Sequence, residues 1–65
     1  MKALDVDYYI DETEVSRITG RAIPSLRNDR SLGKGIPYVK NGRSVRYSIK
    51  EVFEYMEARK VKTRN

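Results

Sequence analysis

The stretch VKNGRSVRY, Val39–Tyr47, reads as a β-hairpin, with two short alternating runs around an Asn41-Gly42 dipeptide. Asn-Gly is the strongest short hairpin signal, because a type I′ turn needs positive φ at both central residues. A two-residue loop there predicts Lys40 opposite Arg43, Val39 opposite Ser44, Tyr38 opposite Val45 and Ile36 opposite Tyr47. One face then carries Ile36, Tyr38, Val45 and Tyr47 and is expected to be a core face. Lys40 and Arg43 stand at the tip, and Arg46 points to the other face. Like charges placed directly opposite each other cost stability. Phosphates would compensate that cost, whereas two side chains splayed into water would need no partner.

The hairpin is flanked by helices. Upstream, SLGKGIP turns the chain, with Gly33 and Gly35 supplying flexible φ and Pro37 excluding helix. Before it, RAIPSLRNDRS predicts a helix over about residues 23 to 31, with Pro24 in the first turn, where its missing N–H is tolerated. Ile23, Leu26 and Arg30 fall on one side of its wheel; Pro24 and Asn28 fall opposite, flanked by Ser25 and Arg27. Earlier still, Asp11 and Glu14 form a capping-box-like pair and Gly20 suits a left-handed cap, so a helix is expected over about residues 12 to 19. Tyr8 and Ile10 fit a short extended stretch or a hydrophobic staple. Downstream, Ser48 and Glu51 form a second capping box, and Ile49, Val52, Phe53 and Met56 follow at helical spacing, for a helix from about Ile49 to Arg59. Tyr55 lies off that apolar stripe. The expected ordered core is residues 8–59, followed by a frayed basic tail, residues 60–65.

The chain has 65 residues, enough for one domain, residues 1–65, with little surplus. It has no cysteine and no histidine, which removes disulfides, thiolate zinc sites and the commonest general base. No apolar run approaches the ~20 residues of a membrane span, and no signal-peptide core is present near Met1. A soluble cytoplasmic protein is expected.

The net charge of +5 is unevenly spread. Residues 16 to 46 hold eight cations against Asp29 alone, whereas residues 1 to 14 hold five acids against Lys2. A polyanion is the natural partner of such a basic block, although a solvated basic surface would also be compatible with it. On the second helix, Ser25, Arg27, Asn28 and Arg30 are the residue types that bond base edges and phosphates. Arg30, on the core side of the wheel, could instead pack its stem or pair with Asp29 or a glutamate. With Arg21, Lys34, Lys40, Arg43 and Arg46, these form the candidate DNA-binding set. An enzyme is not expected: no phosphate-cradling motif or pocket is evident. The acids Asp5, Asp7, Asp11, Glu12 and Glu14 could form a cation site, but capping and helix-dipole pairing account for the last three more simply. No cofactor or metal is expected.

The segment YIDETEVSRITGRAIPSLRNDRSLGKGIPYVKNGRSVRYSIKEVFEYM, Tyr9–Met56, resembles the small excisionase and AlpA-type regulators. These are winged helix-turn-helix proteins related to the DNA-binding domain of MerR regulators. The markers are DETEVSRITG as first helix, SLRNDR in the recognition helix, GIPYVKNGRSVRY as wing and SIKEVFEYM as closing helix. The resemblance implies a mostly α, MerR-like fold with a small β-hairpin wing, from a prokaryote, phage or mobile element. It implies the second helix in the major groove of double-stranded DNA and the wing, residues 36–47, on adjacent backbone. Its functions would be transcription regulation or control of excision, with an integrase, a recombinase or neighbouring copies on DNA as partners. Ser25, Arg27 and Asn28 match exposed recognition-helix positions; Arg43 and Arg46 match wing positions. The chain departs from the pattern in three places. Ala22 replaces a capping Ser or Thr, SLGKGIP is a variant loop length, and no long dimerisation helix follows. Two other readings are weighed beside it: an adaptor that docks a protein partner, which calls for an exposed apolar patch that the sequence does not clearly show, and an RNA-binding module, which calls for exposed aromatics, whereas most of the tyrosines read as buried.

Overall fold

The computed structural model describes residues 7–61, which form three helices and a three-stranded antiparallel sheet. Asp5 and the tail beyond Val61 lie outside the described residues. In chain order the elements are β1 Tyr9–Ile10, α1 Glu12–Thr19, α2 Ile23–Ser31, β2 Val39–Asn41, β3 Ser44–Ser48 and α3 Ile49–Ala58. The bounds of α1 and α2 match the expected ones, because local chemistry sets their ends. Asp11 accepts a hydrogen bond from the Glu14 N–H at 3.0 Å, and Gly20, at φ 77°, closes α1 in the left-handed region. Ala22 gives α2 no side-chain cap. Ser48 caps α3, which ends one residue earlier than expected.

The hairpin forms, but in a different register. Asn41 pairs with Ser44, Lys40 with Val45 and Val39 with Arg46, so Gly42 and Arg43 are the central turn residues. Gly42 has φ 62° and no non-glycine residue among the described residues has positive φ, which is the signature of a type II′ turn, with glycine first. Moving the turn by one residue shifts the pairing by two, so inner and outer faces are preserved. It also sets Lys40 against Val45 and brings the Tyr38 and Tyr47 rings to 6.2 Å between centroids. Lys40 and Arg43 therefore do not oppose each other, and the cost expected from that pair does not arise.

β3 is the central strand: β1 pairs on its other edge, with Tyr9 opposite Ser48 and Ile10 opposite Tyr47. The extended stretch expected near Tyr8 is thus a sheet strand. The core beneath the sheet is Val15, Leu26, Ile36, Tyr47 and Val52, with Ile10, Ile18, Val45 and Tyr55 packed against it. Ile49 is also buried. Three expected core residues are exposed instead: Tyr38, Phe53 and Met56, at 40%, 38% and 37%. The seam of α3 is Ile49, Val52 and Tyr55, whose spacing of three keeps them on one stripe and turns Phe53 and Met56 outward. Tyr55 is thereby accounted for. Tyr8 and Tyr9 are exposed too, so the tyrosines are less buried than the sequence suggests.

Asp7 belongs to this frame. Its carboxylate accepts hydrogen bonds from the Ser48 hydroxyl at 2.7 and 2.9 Å and from the Lys50 N–H at 3.2 Å. The Ser48 hydrogen bond holds its carboxyl below the usual range. This acid is thus a brace on the start of α3. Among the described residues no cluster of acids is arranged to hold a metal ion, and no helix is long and apolar enough to cross a membrane.

Candidate nucleic-acid interface

α2 presents an outward ridge on which Arg27 and Asn28 are exposed and Ser25 is half-buried. Its buried side is anchored by Leu26 and Asp29. Beside the ridge, residues of α2 and of the hairpin together line adjoining grooves. One groove is lined by Asp11, Glu12, Arg27, Arg30, Arg43 and Arg46, among others. The next is lined by Arg30, Tyr38, Lys40 and Arg43, with Ser31, Gly42 and Val45 completing it. Five of the nine candidate cations and polar residues named from sequence, Arg27, Arg30, Lys40, Arg43 and Arg46, thus meet at one surface. Lys40, Arg43 and Arg46 are all exposed there.

Glu12, at the first turn of α1, organises this surface. Its carboxylate receives Arg27 through Nε at 3.2 Å and Nη2 at 2.6 Å, and Arg30 through Nη2 at 3.2 Å. The Arg27 hydrogen bond holds the Glu12 carboxyl below the usual carboxylate range despite its partial burial. The two arginines differ in what remains available. The Arg27 side chain is 63% exposed, whereas that of Arg30 is 16% exposed. Arg30 also donates to the Tyr47 hydroxyl at 2.7 Å and lies 5.8 Å from the Tyr38 ring centroid. Arg30 is therefore a latch between α2, α1 and the sheet, in keeping with its core-side wheel position. Its charge still contributes to the field of the groove.

Arg21 and Lys34 do not join this surface. The Arg21 guanidinium donates to the buried Asp29 carboxylate at 2.7 Å, and Asp29 also takes the Lys34 N–H through its backbone carbonyl at 2.9 Å. Gly35, at φ 89°, passes so close that an added Cβ would lie 2.9 Å from the Asp29 Cβ. Arg21, Asp29, Lys34 and Gly35 line a separate depression with Tyr55 and Arg59. Sequence reasoning missed Glu12 as the clamp and Arg59 altogether. Glu12 grips partners 15 and 18 residues away, a separation at which no local spacing rule operates.

The arrangement offers long, charged donors on a convex ridge and an adjoining cationic groove, which suits a ridged polyanion better than a small enclosed ligand. Comparison of the chain with protein-family models, with curated proteins and with solved structures finds no match among any of them.

Proposed function

We propose that this chain is a sequence-specific double-stranded DNA-binding module of the winged helix-turn-helix type. α2 is its recognition helix in the major groove, and the hairpin, residues 36–47, is a wing on the flanking backbone. It works without catalysis or cofactor, as a small cytoplasmic regulator of the excisionase or AlpA kind. The observation that carries this reading is the meeting of Arg27, Arg30, Lys40, Arg43 and Arg46 in grooves beside an exposed helix ridge bearing Ser25, Arg27 and Asn28. A helix with its side chains is about 10–12 Å across, and the major groove of B-DNA is about 12 Å wide, so the ridge has the dimensions to enter. Wing cations beside it then meet phosphates, which position the protein, while Asn28 and Arg27 meet base edges, which specify the site.

Selection from a random duplex library tests this directly. The expected result is convergence on one short motif, bound with an affinity that falls steeply as salt rises. A library that does not converge, together with a flat salt dependence, overturns the reading.

A docking role for α3 draws on one specific observation: Phe53 and Met56 are exposed three residues apart on it. In that reading an integrase or a neighbouring copy covers this face. Replacing both with serine would then leave binding of a single copy to DNA unchanged and abolish its cooperativity.

A further inference from the structure

The depression lined by Arg21, Asp29, Lys34, Gly35, Tyr55 and Arg59 takes no part in the groove beside the hairpin. It lies on the other flank of α2. Around the helix axis Asp29 lies about 60° to one side of the buried Leu26, and Arg30 about 40° to the other. Arg30 lines the hairpin grooves and Asp29 lines this depression, so grooves with cations in their lining lie on both flanks of α2.

The charges here are set up to face outward. Asp29 is satisfied by Arg21, and among the described residues Lys34 and Arg59 form no salt bridge on this rim. The Arg59 guanidinium lies 3.6 Å from the centroid of the Tyr55 ring and donates to the Tyr55 carbonyl at 3.3 Å. Stacking of this kind fixes the fork of an arginine while keeping it exposed. The Arg21 Nε is buried without a hydrogen-bond partner among the described residues.

We infer that Lys34 and Arg59 form a second phosphate clamp, which grips the DNA strand across the major groove from the one held by the hairpin. The inference rests on the DNA-binding reading above and deepens it. A helix seated in the major groove lies between two phosphate backbones. Cations on one flank alone would hold it by one rail; Lys34 and Arg59 supply the other. Arg59 also sits at the C-terminal end of α3, where a cation is favoured by the helix dipole. A role confined to capping would affect stability alone and leave DNA affinity untouched.

The test uses the full chain with Lys34→Gln and Arg59→Gln combined, Arg59→Lys as the conservative control, and a selected duplex as ligand. The salt slope of log K is expected to become shallower by about 1.8, from about 0.9 for each lost phosphate contact. The ratio of specific to non-specific affinity should hold, since phosphate contacts carry no sequence information. Phosphate-ethylation interference should show one lost set of phosphates, across the groove from the set lost with Arg43→Ala. Arg59→Lys should keep most of the slope. If wild type and Arg43→Ala differ while the double variant keeps the parental slope and interference pattern, the second clamp is refuted and the recognition-helix reading stands. If the wild type shows no salt-dependent duplex binding, both fall together. A double variant with a lowered melting temperature and unchanged affinity assigns Arg59 to capping and refutes the clamp.

Discussion

Glu12→Ala tests the organisation of the groove because it should push stability and DNA affinity in opposite directions. The carboxylate holds Arg27 and Arg30 together at the edge of the groove. The exposed Arg27 contact is screened by solvent and adds little to stability. Arg30 is different, since its side chain is mostly buried and would keep the Tyr47 hydroxyl as a hydrogen-bond partner and the neighbouring tyrosine rings, but no carboxylate. Removing one partner of such a charged hydrogen bond costs about 1–2 kcal/mol. Losing an acid from the first turn of α1 adds about 0.3–1 kcal/mol. A total near 2 kcal/mol should lower the melting temperature of a domain this size by about 8–16 °C. Binding should move the other way. A carboxylate about 10 Å from a phosphate repels it by about 0.4 kcal/mol in water, so two or three phosphates amount to about 1 kcal/mol, or roughly fivefold. Thermal circular dichroism gives the first quantity. Fluorescence anisotropy on a random duplex, at a temperature where the variant is folded, gives the second. Glu12→Gln, which keeps the shape, should show the same signs with a smaller loss of stability. A variant that melts with the parent, or that binds random duplex more weakly, refutes Glu12 as the clamp on these two arginines.

Three further outcomes follow from the geometry. Arg43→Ala should weaken binding to every duplex alike and leave the melting temperature within about 2 °C, because the residue sits at the turn, exposed; a sharp loss of stability with intact affinity would contradict the wing assignment. Gly35→Ala should destabilise the fold by about 1–3 kcal/mol, through both its positive φ and the approach to Asp29, and Gly33→Ala should cost less, since nothing lies within 4 Å of its Cβ; equal denaturation midpoints would remove Asp29 from the packing argument. Asp7 and Glu12 both have carboxyls held below their ordinary values of 3.8 and 4.5, so between the folded and unfolded values the unfolded chain binds more protons. Their stabilisation is complete above about pH 5.5, begins to decline near the unfolded values and is lost as pH falls on through the lower folded values, so urea midpoints should be level from pH 7 to about 5.5 and drop below it; a midpoint level down to pH 3 would contradict both contacts.

The parts of the fold legible in the sequence are those set by neighbours along the chain. Asp11, Gly20 and Ser48 place helix ends through hydrogen bonds spanning three or four residues, and these bounds agree within one residue. The hairpin was legible as a hairpin but not in its register. Asn41-Gly42 as type I′ and Gly42-Arg43 as type II′ put the same side chains on the same faces, so alternation cannot choose between them. The seam of α3 was misread because Phe53 and Met56 are as apolar as a core stripe requires; docking against Val15 and Tyr47 selects the neighbouring stripe through Tyr55. At the candidate site, residue types on α2 and the hairpin were legible, and their meeting was not. The Arg30 hydrogen bond to Tyr47 spans 17 residues, and the Asp7 brace on Ser48 spans 41. Such pairs are fixed by packing of elements, on which the local pattern is silent.

The central claim is that α2 reads bases, and Asn28 tests it most cleanly. Arg27 is held by Glu12 in the free protein, so its replacement disturbs a clamp as well as a contact. Asn28 is exposed on the same ridge, and its amide can pair both ways with an adenine edge. The decisive measurement is the ratio of affinities for a selected duplex and a random one, in Asn28→Ala against the parent, at fixed salt. The expected loss at the selected site is about 1–3 kcal/mol, roughly 5- to 150-fold, with random-duplex affinity and melting temperature unchanged, so the ratio falls by the same factor. An unchanged ratio contradicts the account: α2 would then not be the element that reads the sequence.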